Sequence, residues 1–202
     1  MKRRIFIAIN LPEDIKRKLA DYKEKWPELP CRWTKKNNLH ITLIFLGSFS
    51  DEEVLDACKI TRETASRHSP FFIKLEKIIY GPPHQSKHGT GLAPKKPPRM
   101  VWIEGEKSEE LGRLQKDLEN SLLSAEASTK AGAKEDFTSE NRSCAPHITL
   151  GRIKAWEFRR IEPEERLEVN EDINLSFEVN SIEVMESKLK REGPEYTILE
   201  SC

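Results

Sequence analysis

The sequence predicts an α+β fold in which antiparallel or mixed sheets carry helices on their outer faces. Strand-like and helix-like patterns alternate along the chain, yet several strands follow one another through turns, which favours such sheets. The tetrapeptide His-Ile-Thr-Leu occurs at residues 40–43 and again at 147–150, about half the chain length apart. This repeat predicts a pseudo-twofold arrangement, although the two halves are not visibly alike outside it.

The elements of the first half follow from apolar patterning and from residues typical of helix starts. Pro12 followed by Glu13 and Asp14 suits the positive end of a helix dipole. Ser50 with Glu53 three residues later is a capping-box pattern. The expected elements are a strand over 4–11, a helix from 12 to about 26, a strand over 39–46 ended by Gly47, a helix from 50 to about 67, and an alternating strand over 71–80.

The second half is predicted to contain one long helix and several short strands. Leucines recur at helical spacing between residue 108 and about residue 123. The expected strands are 100–103, the second tetrapeptide, 173–186, and 196–200, with a turn at Gly193-Pro194 before the last. Two long irregular loops are expected at about 81–99, which is rich in proline and glycine, and at 124–143, which is small and polar.

The charge balance excludes a global electrostatic attraction to nucleic acid or membranes. The 202 residues include 34 basic and 34 acidic side chains, so the formal net charge is zero. Any contact with a phosphate backbone must therefore come from local basic clusters. The loop 81–99 holds such a cluster with His84 and His88, and is either a solvated insertion or a surface that receives a polyanionic substrate.

Cysteine usage and hydropathy indicate a reduced, soluble, cytoplasmic protein that does not bind membranes. The four cysteines are scattered, with no C-x-x-C pair and no metal-ligand spacing. The apolar run 5–9 after the basic N-terminus is too short for a signal peptide, and nothing approaches a membrane-spanning length. We expect a single domain over 1–202 that is monomeric.

The repeated tetrapeptide predicts a catalytic site. Successive side chains of a strand point to opposite faces, so His40 and Thr42 share one face, as do His147 and Thr149. If the two faces meet across a groove, a neutral imidazole can take a proton while a protonated one gives a proton. The threonine hydroxyls can donate hydrogen bonds to phosphate oxygens. The alternative is two half-buried strands that happen to carry these residues.

Other kinds of chemistry fit the pattern less well. Neither motif has an Asp, Glu or Cys on the histidine face nearby, as a metal site would need. The chain has no Gly-x-Ser-x-Gly nucleophile elbow and no P-loop. Acid–base catalysis on a phosphodiester, with no metal and no cofactor, is therefore the preferred hypothesis.

Three further side chains are candidates for substrate contacts. Arg152 could grip a phosphate, but strict alternation from His147 places it on the opposite face unless Gly151 supplies a bulge or ends the strand; the alternative is a surface arginine. Arg32 and Trp33 could edge the groove, with Trp33 either stacking a base or packing in the core. We expect His68, His84 and His88 to be solvated.

With both motifs identified, the chain resembles the 2H phosphoesterases, in particular the bacterial and archaeal RNA 2′,3′-cyclic phosphodiesterases, also called 2′–5′ RNA ligases. The similar segments are 4–9 with Leu11-Pro12, 33–34 with 38–43 and 45–47, 146–152, and the pattern of Ser187, Leu189, Gly193 and Tyr196. The loops at 82–98 and 124–143 are longer than is usual in that branch.

The resemblance implies a bilobal fold with two pseudo-symmetric sheets lining a central groove. It implies hydrolysis of RNA 2′,3′-cyclic phosphate ends to 2′-phosphates, with His40 as proton donor and His147 as proton acceptor. Thr42, Thr149 and Arg152 would hold the phosphate. Ligation of 2′–5′ ends would be the same chemistry in reverse, and the partners would be RNA ends, including tRNA halves, or small nucleotides.

Two other functional classes are open. One is a module that binds RNA or tRNA ends with weak catalysis. The other is a 2H enzyme that acts on small cyclic nucleotides or 2′–5′ nucleotides.

Overall fold

Antiparallel strands form one large sheet in the part of the chain that the computed structural model describes, residues 2–81, 97–129, 145–191 and 193–202. The strands are β1 (Arg3–Asn10), β2 (Cys31–Trp33), β3 (His40–Phe49), β4 (Phe71–Gly81), β5 (Met100–Gly105), β6 (His147–Ile153), β7 (Asn170–Val179), β8 (Glu183–Lys190) and β9 (Gly193–Ser201). Their order is β7-β4-β5-β6-β3-β1-β8-β9, and β2 also pairs with β6.

The helices pack against this sheet through a shared apolar core. They are α1 (Glu13–Asp21), α2 (Asp51–Ala65), α3 (Glu109–Thr129) and α4 (Ala155–Arg159), with 3₁₀ turns at Tyr22–Lys25, Lys36–Asn38 and Pro163–Glu165. The predicted capping box begins α2, since Ser50 Oγ accepts a hydrogen bond from the Glu53 amide and the Glu53 carboxylate accepts one from the Ser50 amide. Leu19 of α1 and Leu118 of α3 lie in the same core as Ile41 and Ile148.

The two motif strands lie next to each other at the centre of the sheet. These strands, β3 and β6, pair through one residue pair, Ile41 and Ile148. Outward from this pair, the main path adds three antiparallel strands on each side, and β2 is a fourth on the side of β6. The α+β class is confirmed, and the two expected sheets are joined into one by this single pairing.

Gly47 does not end β3 as predicted. The strand continues to Phe49, and Gly47 adopts a φ of 83° within it. At this point Ile5 pairs with Gly47 while Phe6 pairs with Phe45, so the register shifts by one residue. The glycine allows a left-handed backbone conformation that bends the strand without stopping it.

Two other predicted boundaries are wrong. The expected strand 173–186 is two strands, β7 and β8, because Asn180 and Ser181 favour a turn between them. Helix α3 continues to Thr129, since alanine and glutamate after residue 123 favour helix. Of the two predicted loops, the parts 82–96 and 130–143 lie outside the described residues, and Gly81 belongs to β4.

Candidate active site

Both histidine motifs face one cavity of about 440 Å³. His40, Thr42, His147 and Thr149 line it, while the aliphatic residues between them are buried on the other face. Other side chains lining the cavity come from five further strands and include Arg4, Phe6, Arg32, Trp33, Trp102, Ser187 and Tyr196. The structure therefore brings together the histidines and threonines that lie far apart in the sequence.

A β-bulge follows each motif. In β3 the register skips Leu43, because Ile7 pairs with Ile44 and Ala8 pairs with Thr42. In β6 it skips Leu150, because Val101 pairs with Gly151 and Trp102 pairs with Thr149. A bulge adds one residue to a strand and so reverses the faces of the residues beyond it. The fifth residue after each motif histidine thereby returns to the cavity face.

Arg152 lines the cavity because of the second bulge. Strict alternation would place Arg152 on the opposite face, and this bulge brings its side chain to the histidine face, as the prediction needed. Gly151 also allows β2 to approach, since a Cβ at this position would lie 2.4 Å from Cys31 Sγ and 3.1 Å from Trp33 Cε3. The bulge thus places Arg152, and the glycine lets the short strand β2 pack closely.

Phe45 is the counterpart of Arg152 in the other half and was not identified from the sequence. It is the fifth residue after His40, lies past the first bulge, lines the cavity and is 70% exposed. A large aromatic side chain this exposed offers an apolar face for a planar ligand group. Its equivalent spacing to Arg152 was the sequence signal that could have found it.

Two hydrogen bonds hold the His40 ring. Nδ1 lies 2.7 Å from the Asn38 carbonyl oxygen, which can only accept, so Nδ1 carries the hydrogen. Nε2 lies 3.0 Å from Oγ1 of Thr42, which also lines the cavity. The Asn38 side chain in turn donates to the Pro194 carbonyl oxygen at 2.7 Å, which ties the start of β9 to the segment that orients His40.

The environment of His40 favours the neutral imidazole. Burial lowers the pKa of His40, the hydrogen bond to the Asn38 carbonyl opposes this effect, and the positive charge of Lys16 lowers the pKa further. Lys16 is itself only 4% exposed and pairs with Glu13 at 3.4 Å. The unliganded His40 is therefore a weak base and, once protonated, a strong proton donor.

Aromatic rings flank both histidines. The Trp102 indole stacks on His147 with ring centroids 4.5 Å apart and an interplanar angle of 29°. On His40, the Tyr196 ring is perpendicular at 5.2 Å and the Phe6 ring is tilted at 5.1 Å. Phe6 and Trp102 were not predicted as site residues, because a ring in an apolar strand has no local feature that separates cavity lining from core.

The cavity is cationic although the chain as a whole is neutral. Arg4, Arg32, Lys35 and Arg152 line it, and no Asp or Glu is among its lining residues in the described part of the chain. Arg32 is the direct cross-strand partner of Arg152. Like charges placed opposite each other destabilise a strand pair, so this pair favours an anionic ligand.

The remaining candidates are placed as follows. Trp33 lines the cavity and also stacks on Trp26, with centroids 6.4 Å apart, so its packing role is observed and base stacking stays a prediction. The expectation that His68 is solvated is wrong, because its Nε2 lies 3.0 Å from Asp117 Oδ2 and its side chain is only 18% exposed. His84 and His88 lie outside the described residues.

No three His, Cys, Asp or Glu side chains in the described ranges form a group that could hold a metal ion. None of the helices there is long and apolar enough to cross a membrane. Cys31, Cys58 and Cys202 are free thiols.

Comparison with known proteins identifies the family. Residues 9–90 match the model of the LigT like phosphoesterase family. The RNA 2′,3′-cyclic phosphodiesterase of Thermus thermophilus is 30% identical, over 98% of this chain and 88% of that protein. The enzyme of the same name from Methanocaldococcus jannaschii is 27% identical, over 97% of this chain and 98% of the relative.

The fold is shared with a solved structure. The Thermus thermophilus protein TT0787 is 30% identical and superposes with a TM-score of 0.71, over 98% of this chain and 96% of that chain. In this chain two His-x-Thr-x motifs, at residues 40–43 and 147–150, face a single cavity. The chain therefore belongs to the LigT-like 2H phosphoesterase family.

Proposed function

We propose that the protein hydrolyses the 2′,3′-cyclic phosphate ends of RNA to 2′-phosphomonoesters. The observation that carries this proposal is the convergence of His40 and His147 on one cationic cavity. The names of the relatives from Thermus and Methanocaldococcus support the same substrate class. The enzyme is then a cyclic phosphodiesterase that uses acid–base catalysis.

The reaction needs one proton acceptor and one proton donor. His147 takes a proton from water, and the water oxygen forms a bond to phosphorus as the bond between phosphorus and O3′ breaks. His40 Nε2 gives its proton to the departing O3′, which leaves the phosphate on O2′. Each transfer contributes about 10²–10⁴ in rate. Both protons are carried by side chains, so the scheme requires no metal.

Three side chains would stabilise the charge that develops on the phosphate. Arg152 can donate two parallel hydrogen bonds to the non-bridging oxygens, and Thr149 can donate one. Thr42 lies within hydrogen-bonding distance of His40 Nε2, so a phosphate oxygen bound between them would reach both groups. A preorganised set of donors of this kind stabilises the transition state more than the ground state.

The lowered pKa of His40 is consistent with its role as donor in the complex. A bound phosphodiester places a negative charge beside the imidazole and stabilises its protonated form. Once protonated, a group with a low intrinsic pKa gives up its proton readily to the leaving oxygen. Substrate binding thus raises the pKa of His40 from its lowered value in the unliganded cavity.

The rest of the cavity fits a nucleotide. The exposed ring of Phe45 can stack on a base, which is typically worth about 1–3 kcal/mol. Arg32 and Lys35 add two exposed cations to the cavity lining, which the phosphate backbone of an RNA strand can contact. Ligation of 2′–5′ ends follows if the 5′-hydroxyl of a second RNA replaces water as the group that attacks phosphorus, again with cleavage of the bond to O3′.

A second candidate function has the same chemistry on a smaller substrate. The cavity volume of about 440 Å³ is enough for a single nucleotide, which favours small 2′,3′-cyclic or 2′–5′ nucleotides. Comparing a 2′,3′-cyclic mononucleotide with a short RNA that carries the same end separates the two. A higher kcat/KM for the RNA supports the RNA-end function, and an equal or lower value supports the small nucleotide.

The deciding experiment is turnover of a short RNA ending in a 2′,3′-cyclic phosphate, with EDTA present. The parent is compared with His40→Ala and His147→Ala, and His68→Ala serves as a control because His68 pairs with Asp117 away from the cavity. We expect a 2′-phosphate product from the parent and the control, and a loss of at least about 10³-fold in each motif variant. An inert parent that still binds the RNA would indicate a binding module instead.

A further inference from the structure

The two motif histidines differ in the ring that each one faces. His147 lies against the flat face of the Trp102 indole, whereas the Tyr196 ring stands perpendicular to His40. The face of an indole carries negative partial charge and attracts cations more strongly than other aromatic faces do. His40 has no stacked indole, since its second neighbouring ring, that of Phe6, is tilted by 44° at 5.1 Å. An imidazolium at His147 is therefore closer to a more strongly attracting aromatic face than one at His40.

Tryptophan is a costly residue at position 102 if packing is its only role. Its Nε1 is buried and has no hydrogen-bond partner, and an unpaired buried donor destabilises the folded state. Phenylalanine or leucine would fill apolar space there without leaving a donor unpaired. The indole face on His147 is a property that those residues would weaken or remove.

The neighbouring strand holds the indole in place. A Cβ at Gly81 of β4 would lie 2.2 Å from Trp102 Cδ2 and 2.4 Å from its Cγ, so the glycine backbone packs directly against the ring. On the other side, Trp102 is the cross-strand partner of Thr149, two residues from His147. The indole is thus held between the backbone of β4 and the histidine.

The equivalent position in the other half carries a methyl group. Ala8 of β1 is the cross-strand partner of Thr42, as Trp102 of β5 is the partner of Thr149. The backbone is pseudo-symmetric here, but the side chains are not. The asymmetry matches a reaction in which one histidine gains a charge while the other loses one.

We propose that Trp102 is a positioning residue for His147, and that its indole face stabilises the imidazolium formed when His147 takes the proton from water. This inference rests on the proposed function for the direction of that proton transfer. The charged or titratable side chains that share strand pairing or the cavity with His147 are Glu104, Arg152, His40, Arg4, Arg32, Lys35 and Tyr196. All of them are retained in a Trp102 variant.

The test combines an NMR titration of the histidine ring protons with steady-state kinetics. Trp102→Leu removes the ring, and Trp102→Phe keeps a smaller one. In W102L we expect the pKa of His147 to fall by roughly 0.5–1, with loss of the ring-current shift, and an intermediate result in W102F. With a 2′,3′-cyclic phosphate substrate, kcat should fall about 3–10-fold while KM stays within about twofold.

A matched control and a folding measurement make the result specific. Phe6→Leu changes the ring beside His40, so it should move the titration of His40 and leave that of His147 unchanged. An unchanged pKa for His147 in a folded W102L overturns the proposal. If W102L proves unfolded in denaturant curves, W102F decides, since a His147 pKa equal to the parent's overturns it equally.

The two proposals can fail separately. A His147 titration that responds to W102L, in a parent that does not turn over cyclic phosphates, supports the stacking role and rejects the proposed function. Turnover by the parent with no response of His147 to W102L rejects the stacking role alone.

Discussion

Phe45 and Arg152 occupy equivalent positions in the two halves of the sheet and face the same cavity. Each is the fifth residue after a motif histidine, and each follows a bulge that returns it to the histidine face. One half thus offers an aromatic ring where the other offers a guanidinium. The pseudo-symmetric cavity is therefore chemically asymmetric at this pair of positions, with an apolar ring in one half and a cation in the other.

Loss of the Arg152 guanidinium should impair catalysis more than stability. Arg152 is exposed, so Arg152→Gln should leave the free energy of unfolding within about 0.5 kcal/mol of the parent's value. We expect kcat/KM for an RNA cyclic phosphate to fall about 10²-fold or more, because the two parallel hydrogen bonds to the phosphate are lost. Arg152→Lys should recover only part of this, since an ammonium group lacks the planar fork. A kcat/KM for R152Q within threefold of the parent's contradicts the assignment.

Phe45 should contribute through its ring alone. Phe45→Ala is expected to lower kcat/KM by about 5–100-fold, the loss of one base–aromatic stack, while Phe45→Tyr should stay close to the parent. The side chain is 70% exposed, so the thermal midpoint should change little. Steady-state kinetics with a cyclic-phosphate substrate checks this. Equal losses for F45A and F45Y would indicate that the ring does not stack on the substrate.

The pH dependence should report the environment of His40. A proton donor must be protonated, so activity that depends on His40 declines as pH rises through its pKa, which burial and Lys16 hold below the ordinary value of 6.5. Lys16→Met removes the positive charge and should therefore move this decline in kcat/KM to higher pH. Lys36→Met is the matched control, because Lys36 also pairs with Glu13 but is not among the groups that shift His40. The same shift in both variants, or in neither, would contradict the claim that the charge of Lys16 lowers the pKa of His40.

Gly151 should be essential for the approach of β2. Gly151→Ala places a Cβ 2.4 Å from Cys31 Sγ, and relieving that overlap should cost about 1–3 kcal/mol in the free energy of unfolding. Cys31→Ala removes the sulfur and should restore part of the loss in the double variant. Denaturant unfolding of the four proteins in this cycle measures the coupling. Additive effects would show that the overlap with Cys31 is not the cause.

Arg32 should matter most for substrates with a phosphate backbone. Each phosphate contact made by a cation adds roughly 0.7 to the slope of log affinity against log salt for a single strand. Arg32→Gln is therefore expected to reduce this slope for a short RNA by about that amount, measured by titration at several salt concentrations. Glu28→Gln is a control, since it changes one exposed charge that is not among the cavity-lining residues. An unchanged slope in R32Q would place Arg32 outside the RNA path.

Much of the fold could be predicted because its signals are local. Helix starts such as Pro12 and Ser50 depend on neighbouring residues only, and α1 and α2 begin where they indicate. The alternation of His40 and Thr42 against Ile41 likewise follows from strand geometry. Errors arose where a local signal was ambiguous, as at Gly47, which bends β3 and does not end it.

The sequence by itself determined which side chains the two motifs offer. Strand alternation alone places His40 with Thr42 on one face, and His147 with Thr149. Only the tertiary structure decided what surrounds them. The two bulges, the stack of Trp102 on His147, and the tie from Asn38 to Pro194 all join residues distant in the chain. Cross-strand register selects these neighbours, and register is set by the packing of the whole sheet and not by any one segment.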